Sequence, residues 1–103
     1  MKIVLNKEYG GFGLSAEQAE AYGFKPNEIT EHFGGHKWVD RQPDGKAFDR
    51  TDPKLIKVVE QNLAKAFGAK LVVVEIPDNA FYEITEFDGM ETIIWSEAPI
   101  HFL

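Results

Sequence analysis

The chain opens on an apolar run, Ile3-Val4-Leu5, and the same pattern returns at Leu71-Val72-Val73-Val74-Glu75-Ile76. Both runs are rich in β-branched residues and nearly continuous. A strand of that kind is covered on both faces, so the second run is expected at the centre of a sheet with the first beside it. Between them, Leu55, Ile56, Val59, Leu63, Ala66 and Phe67 recur at spacings of three and four, which predicts an amphipathic helix over about 53–67. Asp52 or Thr51 can cap its start. Pro53 suits the first helical position, whose N–H a helix leaves unpaired, and Gly68 is the expected stop. Tyr82–Phe87 alternates, Asp88-Gly89 turns, and Met90–Trp95 follows, which is a hairpin signature. Near the start, Tyr9–Gly13 reads as a turn. Ser15 with Gln18 forms a capping box for a short helix, Ala16–Tyr22, ended by Gly23. Glu28–Phe33 predicts one further helical turn. Gly34–Asp49 predicts a loop with one short strand around Trp38-Val39. The fold class is α+β: a sheet of about four strands with a C-terminal β-hairpin, the long helix packed across it, and a short N-terminal helix.

Composition narrows the function. A length of 103 residues predicts a single domain, and 44% hydrophobic with 13% aromatic residues excludes a disordered chain. No apolar run approaches a membrane span, and MKIVLNKEYGG lacks the apolar core of a signal peptide. The chain has no cysteine, which excludes disulfides, thiolate nucleophiles and sulfur-based zinc sites; a cytoplasmic protein is the simplest expectation. The net charge of -6 is unevenly placed. All 11 Lys and Arg lie in residues 1–70 beside 10 acids, whereas residues 71–103 hold 7 acids and no Lys or Arg. General nucleic-acid binding is not expected of such a chain, while an acidic face toward a basic partner is.

The candidate chemistry is that of anion and ring binding. Tyr9, Gly10, Gly11 and Phe12 form a glycine-rich turn between a strand and the helix capped by Ser15, the order in which proteins place a phosphate at a helix start. The letters GFGLSA fit a dinucleotide fingerprint, but the short helix and its Gly23-Phe24-Lys25-Pro26 ending do not, and no Gly-Lys-Ser/Thr of a P-loop follows. A tight turn before a capped helix is the plain alternative. Arg50 and Thr51 stand before the second helix, where a guanidinium fork suits phosphate or carboxylate; pairing of Arg50 with Asp49, Asp52 or Glu75 is the competing expectation. Trp38, in EHFGGHKW, can stack on a planar ligand or anchor its loop. His32 and His36 are four apart, but Gly34-Gly35 between them argues against a helical metal pair, so no metal is expected. Ser15, Ser96 and the histidines show no nucleophile–base–orienter spacing, so nothing points to an enzyme or a cofactor.

The blocks KIVLNKEYGGFGLS, RTDPKLIKVVE, AKLVVVEIPD and YEITEFDGMETI resemble a family of small uncharacterised proteins encoded by tailed phages and prophages. The resemblance covers residues 1–15 and about 50–94, and implies the cytoplasm of an infected bacterium as the setting. Accessory proteins of that kind often disable a host factor, and some sequester nucleotide second messengers. Two functions follow as expectations: a non-catalytic anti-defence binder of a phosphorylated small ligand, held by Tyr9, Gly10, Gly11, Phe12, Ser15, Trp38, Arg50 and Thr51, or an acidic inhibitor that meets a basic host defence protein through Tyr82–Trp95. A small nucleotide hydrolase is a third. A homo-oligomer is plausible in each case, with the apolar tail Ile100–Leu103 as its contact.

Overall fold

The computed structural model describes residues 1–33 and 36–98, with backbone alone at 31–33. The Gly34-Gly35 break and the tail Ile100–Leu103 lie outside the described residues. The elements are β1 (Lys2–Asn6), β2 (Leu14–Ser15), α1 (Ala16–Tyr22), a 3-10 turn (Pro26–Glu28), β3 (Glu31–Phe33), β4 (His36–Val39), α2 (Pro53–Glu60), β5 (Leu71–Glu75), β6 (Phe81–Phe87) and β7 (Met90–Ser96). The class is α+β, as the periodicities require. The strands form three small antiparallel sheets, β1-β5, β2-β4-β3 and β6-β7, in place of one sheet of about four.

The two apolar runs do pair, with Ile3 opposite Val74 and Leu5 opposite Val72. Their near-continuous hydrophobicity has the expected cause, since this ribbon is the middle layer. One face carries Val4, Leu71 and Val73 into a core with Leu14, Ala19, Phe24, Phe48 and Leu55. The other carries Ile3, Leu5, Val72 and Val74 against Tyr82, Ile84 and Ile93 of the β6–β7 hairpin. Ile3, Val4, Leu5, Leu14 and Leu55 are wholly buried, each worth about 1.5–3 kcal/mol relative to exposure.

The predicted caps form. Ser15 Oγ accepts from Gln18 N, and Gln18 Oε1 accepts from Ser15 N. Asp52 Oδ1 accepts from Lys54 N, one residue past Pro53. The Asp88-Gly89 turn has both residues at positive φ, 49° and 90°, which sets Phe87 opposite Met90. Two expectations need correction. Glu28–Phe33 is not a helical turn throughout: the 3-10 turn ends at Glu28 and the chain then extends as β3, paired with β4. The long helix stops at Glu60, well short of Phe67. Asn62 sits at φ 57°, a left-handed conformation that asparagine tolerates, and turns the chain out of the helix. The residues beyond it are claimed by α1: Ala64 O accepts from Ser15 Oγ at 2.6 Å and Ala64 N donates to Glu17 at 3.3 Å. Among the described residues, no helix is long and apolar enough to cross a membrane.

Candidate functional site

The glycine turn packs between two other turns. Gly10 and Gly11 adopt φ of 128° and 101°. Gly10 N–H donates to Asp88 O at the hairpin tip at 3.0 Å. A Cβ on Gly10 would lie 2.7 Å from Gly68 O, and one on Gly89 would lie 2.2 Å from Gly11 N. Gly10 and Gly89 are therefore required by the close approach of three backbone turns, whereas Gly11 has open space and is favoured by its positive φ alone. Asn6, fully buried, ties the same junction: its side-chain amide donates to Glu8 O and Gly89 O and accepts from Lys70 N.

Arg50 does approach this turn. Its guanidinium lies 4.0 Å over the Phe12 ring. Its ionic partner, however, is none of the three acids weighed from the sequence. It is Glu91, the buried second residue of β7, which it grips with both fork nitrogens, Nη2 to Oε2 at 2.7 Å. This pair closes an open strand edge. Odd-numbered residues of β1 bond toward β5, which leaves Val4 and Asn6 facing the other way. Val4 N donates to Arg50 O at 2.9 Å, Arg50 Nη1 donates to Val4 O at 3.3 Å, and Asn6 N donates to Glu91 Oε1 at 2.8 Å. An Arg–Glu pair thus satisfies the β1 edge where a neighbouring strand would. Lys7 Nζ also donates to Glu91 O. Asn6 and Glu91 carry no local sequence signal, because their partners are far away in the chain.

Ser15 and Thr51 serve local structure. Ser15 Oγ is shared between its capping bond and Ala64 O. Thr51 donates from both N and Oγ1 to Asp49 Oδ1, at 2.9 and 2.8 Å, and these bonds hold the Asp49 carboxyl below its ordinary range. Beside them, Tyr22 donates to Asp52 Oδ2 at 2.8 Å; burial first, and that bond second, push its phenol up to about 12.

Tyr9, Gly10 and Trp38 come together at a different place. With Phe67 and Gly68 they line an open groove of about 320 Å³. Tyr9 and Phe67 are exposed, Phe67 at 64%, and Trp38 is half-buried. The His36 ring lies parallel to Phe67, 5.7 Å away at 7°. Gly13 makes room for the indole, since a Cβ there would stand 3.3 Å from Trp38 Cδ1. Phe67 belongs to this groove and not to a helical core face because the helix ends at Glu60, and Asn62 is the signal that could have revealed it. The walls are ring faces and glycine backbone, a surface suited to stacking on a planar ligand. Among the described residues, no three His, Cys, Asp or Glu side chains converge to hold a metal ion. No family model, curated protein or solved structure matches the chain.

Proposed function

We propose that the protein is a non-catalytic binder of a small planar ligand of the nucleotide class, with the base stacked in the groove of Tyr9, Trp38 and Phe67. The observation that carries this reading is that groove: exposed and half-buried rings from separate parts of the chain lining one opening. Base–aromatic stacking contributes about 1–3 kcal/mol per base, and it needs ring faces more than hydrogen-bond donors. Arg50 is held by Glu91, which leaves the phosphate to the exposed lysines that neighbour Phe67-Gly68 in the chain. Lys65 and Lys70 flank Phe67-Gly68 and are exposed, whereas Lys37, between His36 and Trp38 on β4, alternates to the other face of that strand. In the setting implied by the phage resemblance, such a binder removes a signalling nucleotide from a host defence pathway.

The test is intrinsic tryptophan fluorescence and thermal shift with a panel of linear and cyclic mono- and dinucleotides. A ligand at about 100 times its Kd stabilises the fold by about 2.7 kcal/mol through mass action. Binding is expected to be lost in Phe67→Ala and Trp38→Leu and retained in Arg50→Lys. If no member of the panel shifts either signal, or if binding survives loss of both rings, the reading fails.

A further inference from the structure

The β6–β7 hairpin has a second face. Tyr82, Ile84 and Ile93 point inward onto the β1–β5 ribbon. Strand alternation sends Phe81, Glu83, Thr85 and Phe87 to the opposite face, across from Ser96, Ile94, Thr92 and Met90. An outer strand face on a small domain is ordinarily polar. Here Phe87 is 72% exposed, Ile94 51% and Phe81 47%. The centre is a matched threonine pair, Thr85 Oγ1 to Thr92 Oγ1 at 2.7 Å. The scaffold beneath is rigid in the sense that matters for recognition, since the hairpin tip is pinned by Gly10 N–H and its first β7 turn by the Arg50–Glu91 pair.

We infer that this outer hairpin face is a docking surface for a basic protein that presents an apolar stripe flanked by Lys or Arg. Exposed rings and an isoleucine on one ribbon supply the apolar contact. Charge selects the occupant. Every residue from Leu71 onward that is charged is acidic, Lys and Arg being absent from that stretch. Glu91 is neutralised by Arg50, whereas Glu83 lies on the face and Asp88 and Glu97 are exposed at its two ends. A second copy docking by the same face would bring these acids against their own equivalents, an arrangement that like-charge repulsion penalises. A basic partner gains both contact and steering. This surface is independent of the ring-lined groove, which lies on other elements.

The test is selection of a displayed library of random 12-residue peptides on the immobilised full chain, followed by affinity measurement of the enriched peptides and sedimentation velocity of the protein alone. The expected result is a family of peptides that combines apolar residues with Lys or Arg. Phe87→Ser/Ile94→Ser, both at exposed positions, is expected to weaken it about tenfold or more. Glu83→Gln/Glu97→Gln should weaken it too, as should raising salt from about 0.1 to about 1 M, which shortens the screening length from about 10 to about 3 Å. Circular dichroism of each variant verifies that the fold is retained. Enrichment of neutral or acidic peptides, no enriched family, or binding indifferent to both double variants would overturn the inference. So would self-association of the protein alone that Phe87→Ser/Ile94→Ser abolishes, since that assigns the face to a second copy.

Discussion

Replacing Glu91 with alanine tests the central claim about Arg50. The carboxylate is buried and Arg50 is 22% exposed in its side chain. Removal of Glu91 leaves a guanidinium over Phe12 with no counter-ion and the Asn6 N–H at the β1 edge with no acceptor. Breaking a buried pair from one side costs about 3–5 kcal/mol, and the partial water access of Arg50 argues for the lower half of that range. The orphaned N–H overlaps with that cost and is not added to it. A loss of about 3 kcal/mol is a large part of the roughly 5–15 kcal/mol that holds a domain of this size. At about 4 °C per kcal/mol, the melting temperature should fall by about 12 °C or more.

The assay is urea unfolding of the wild type, Glu91→Ala, Glu91→Gln, Arg50→Met and the Arg50→Met/Glu91→Ala double variant. Glu91→Gln keeps an acceptor for Asn6 and Arg50 but no charge, so its loss should be smaller than that of alanine. The double variant should be far less destabilised than the sum of the singles, because neither charge is then stranded. Salt should change the wild-type midpoint little, as a buried pair is weakly screened. Single losses below about 1 kcal/mol, the range of surface pairs, or additive losses in the cycle, would show that Arg50 and Glu91 do not act as an edge-closing unit.

Three further outcomes are expected. Gly89→Ala should cost about 3 kcal/mol or more, because its Cβ would meet Gly11 N at 2.2 Å, whereas Gly45→Ala, at φ 84° in open space, should cost only the left-handed strain of about 1–2 kcal/mol; comparable losses would refute the three-turn junction. Tyr22 should ionise with a midpoint near 12 in an ultraviolet titration of the folded protein, a transition missing in Tyr22→Phe. Because the folded phenol holds its proton more tightly than the unfolded one, the stability it contributes is present below pH 10 and lost as pH rises toward 12; unfolding midpoints flat across that window would contradict the Asp52 bond. Ser15→Ala should lose about 1 kcal/mol or more, since Ser15 Oγ both caps α1 and holds Ala64 O; an unchanged midpoint would remove that second role.

Local signals carried far in this chain, and they failed at Phe67 and Arg50, where contacts from other parts of the chain decide the structure. The Ser15–Gln18 capping box, the Pro53 helix start and the Asp88-Gly89 turn each concern residues within four positions of one another, and all of them formed. The β1–β5 pairing was legible because two continuous apolar runs can be covered on both faces only in a middle layer. Phe67 shows how periodicity misleads: it falls on the helical face at the right spacing, yet Asn62 and the claim of α1 on Ala64 end the helix first. Arg50 shows the same limit in the candidate site. An arginine before a helix start reads as an anion receptor, and the nearest acids in the sequence read as its alternatives. Its actual partner is 41 residues away. What decides the matter is the β1 edge, a need that arises only once β1 has paired on one side alone. Tyr9, Gly10 and Trp38, chosen from separate segments, do line one groove, together with Phe67 and Gly68. Arg50, chosen as a vacant donor, and Phe12, chosen as a stacking ring, were both absorbed by the fold, the guanidinium lying over that ring and gripping Glu91.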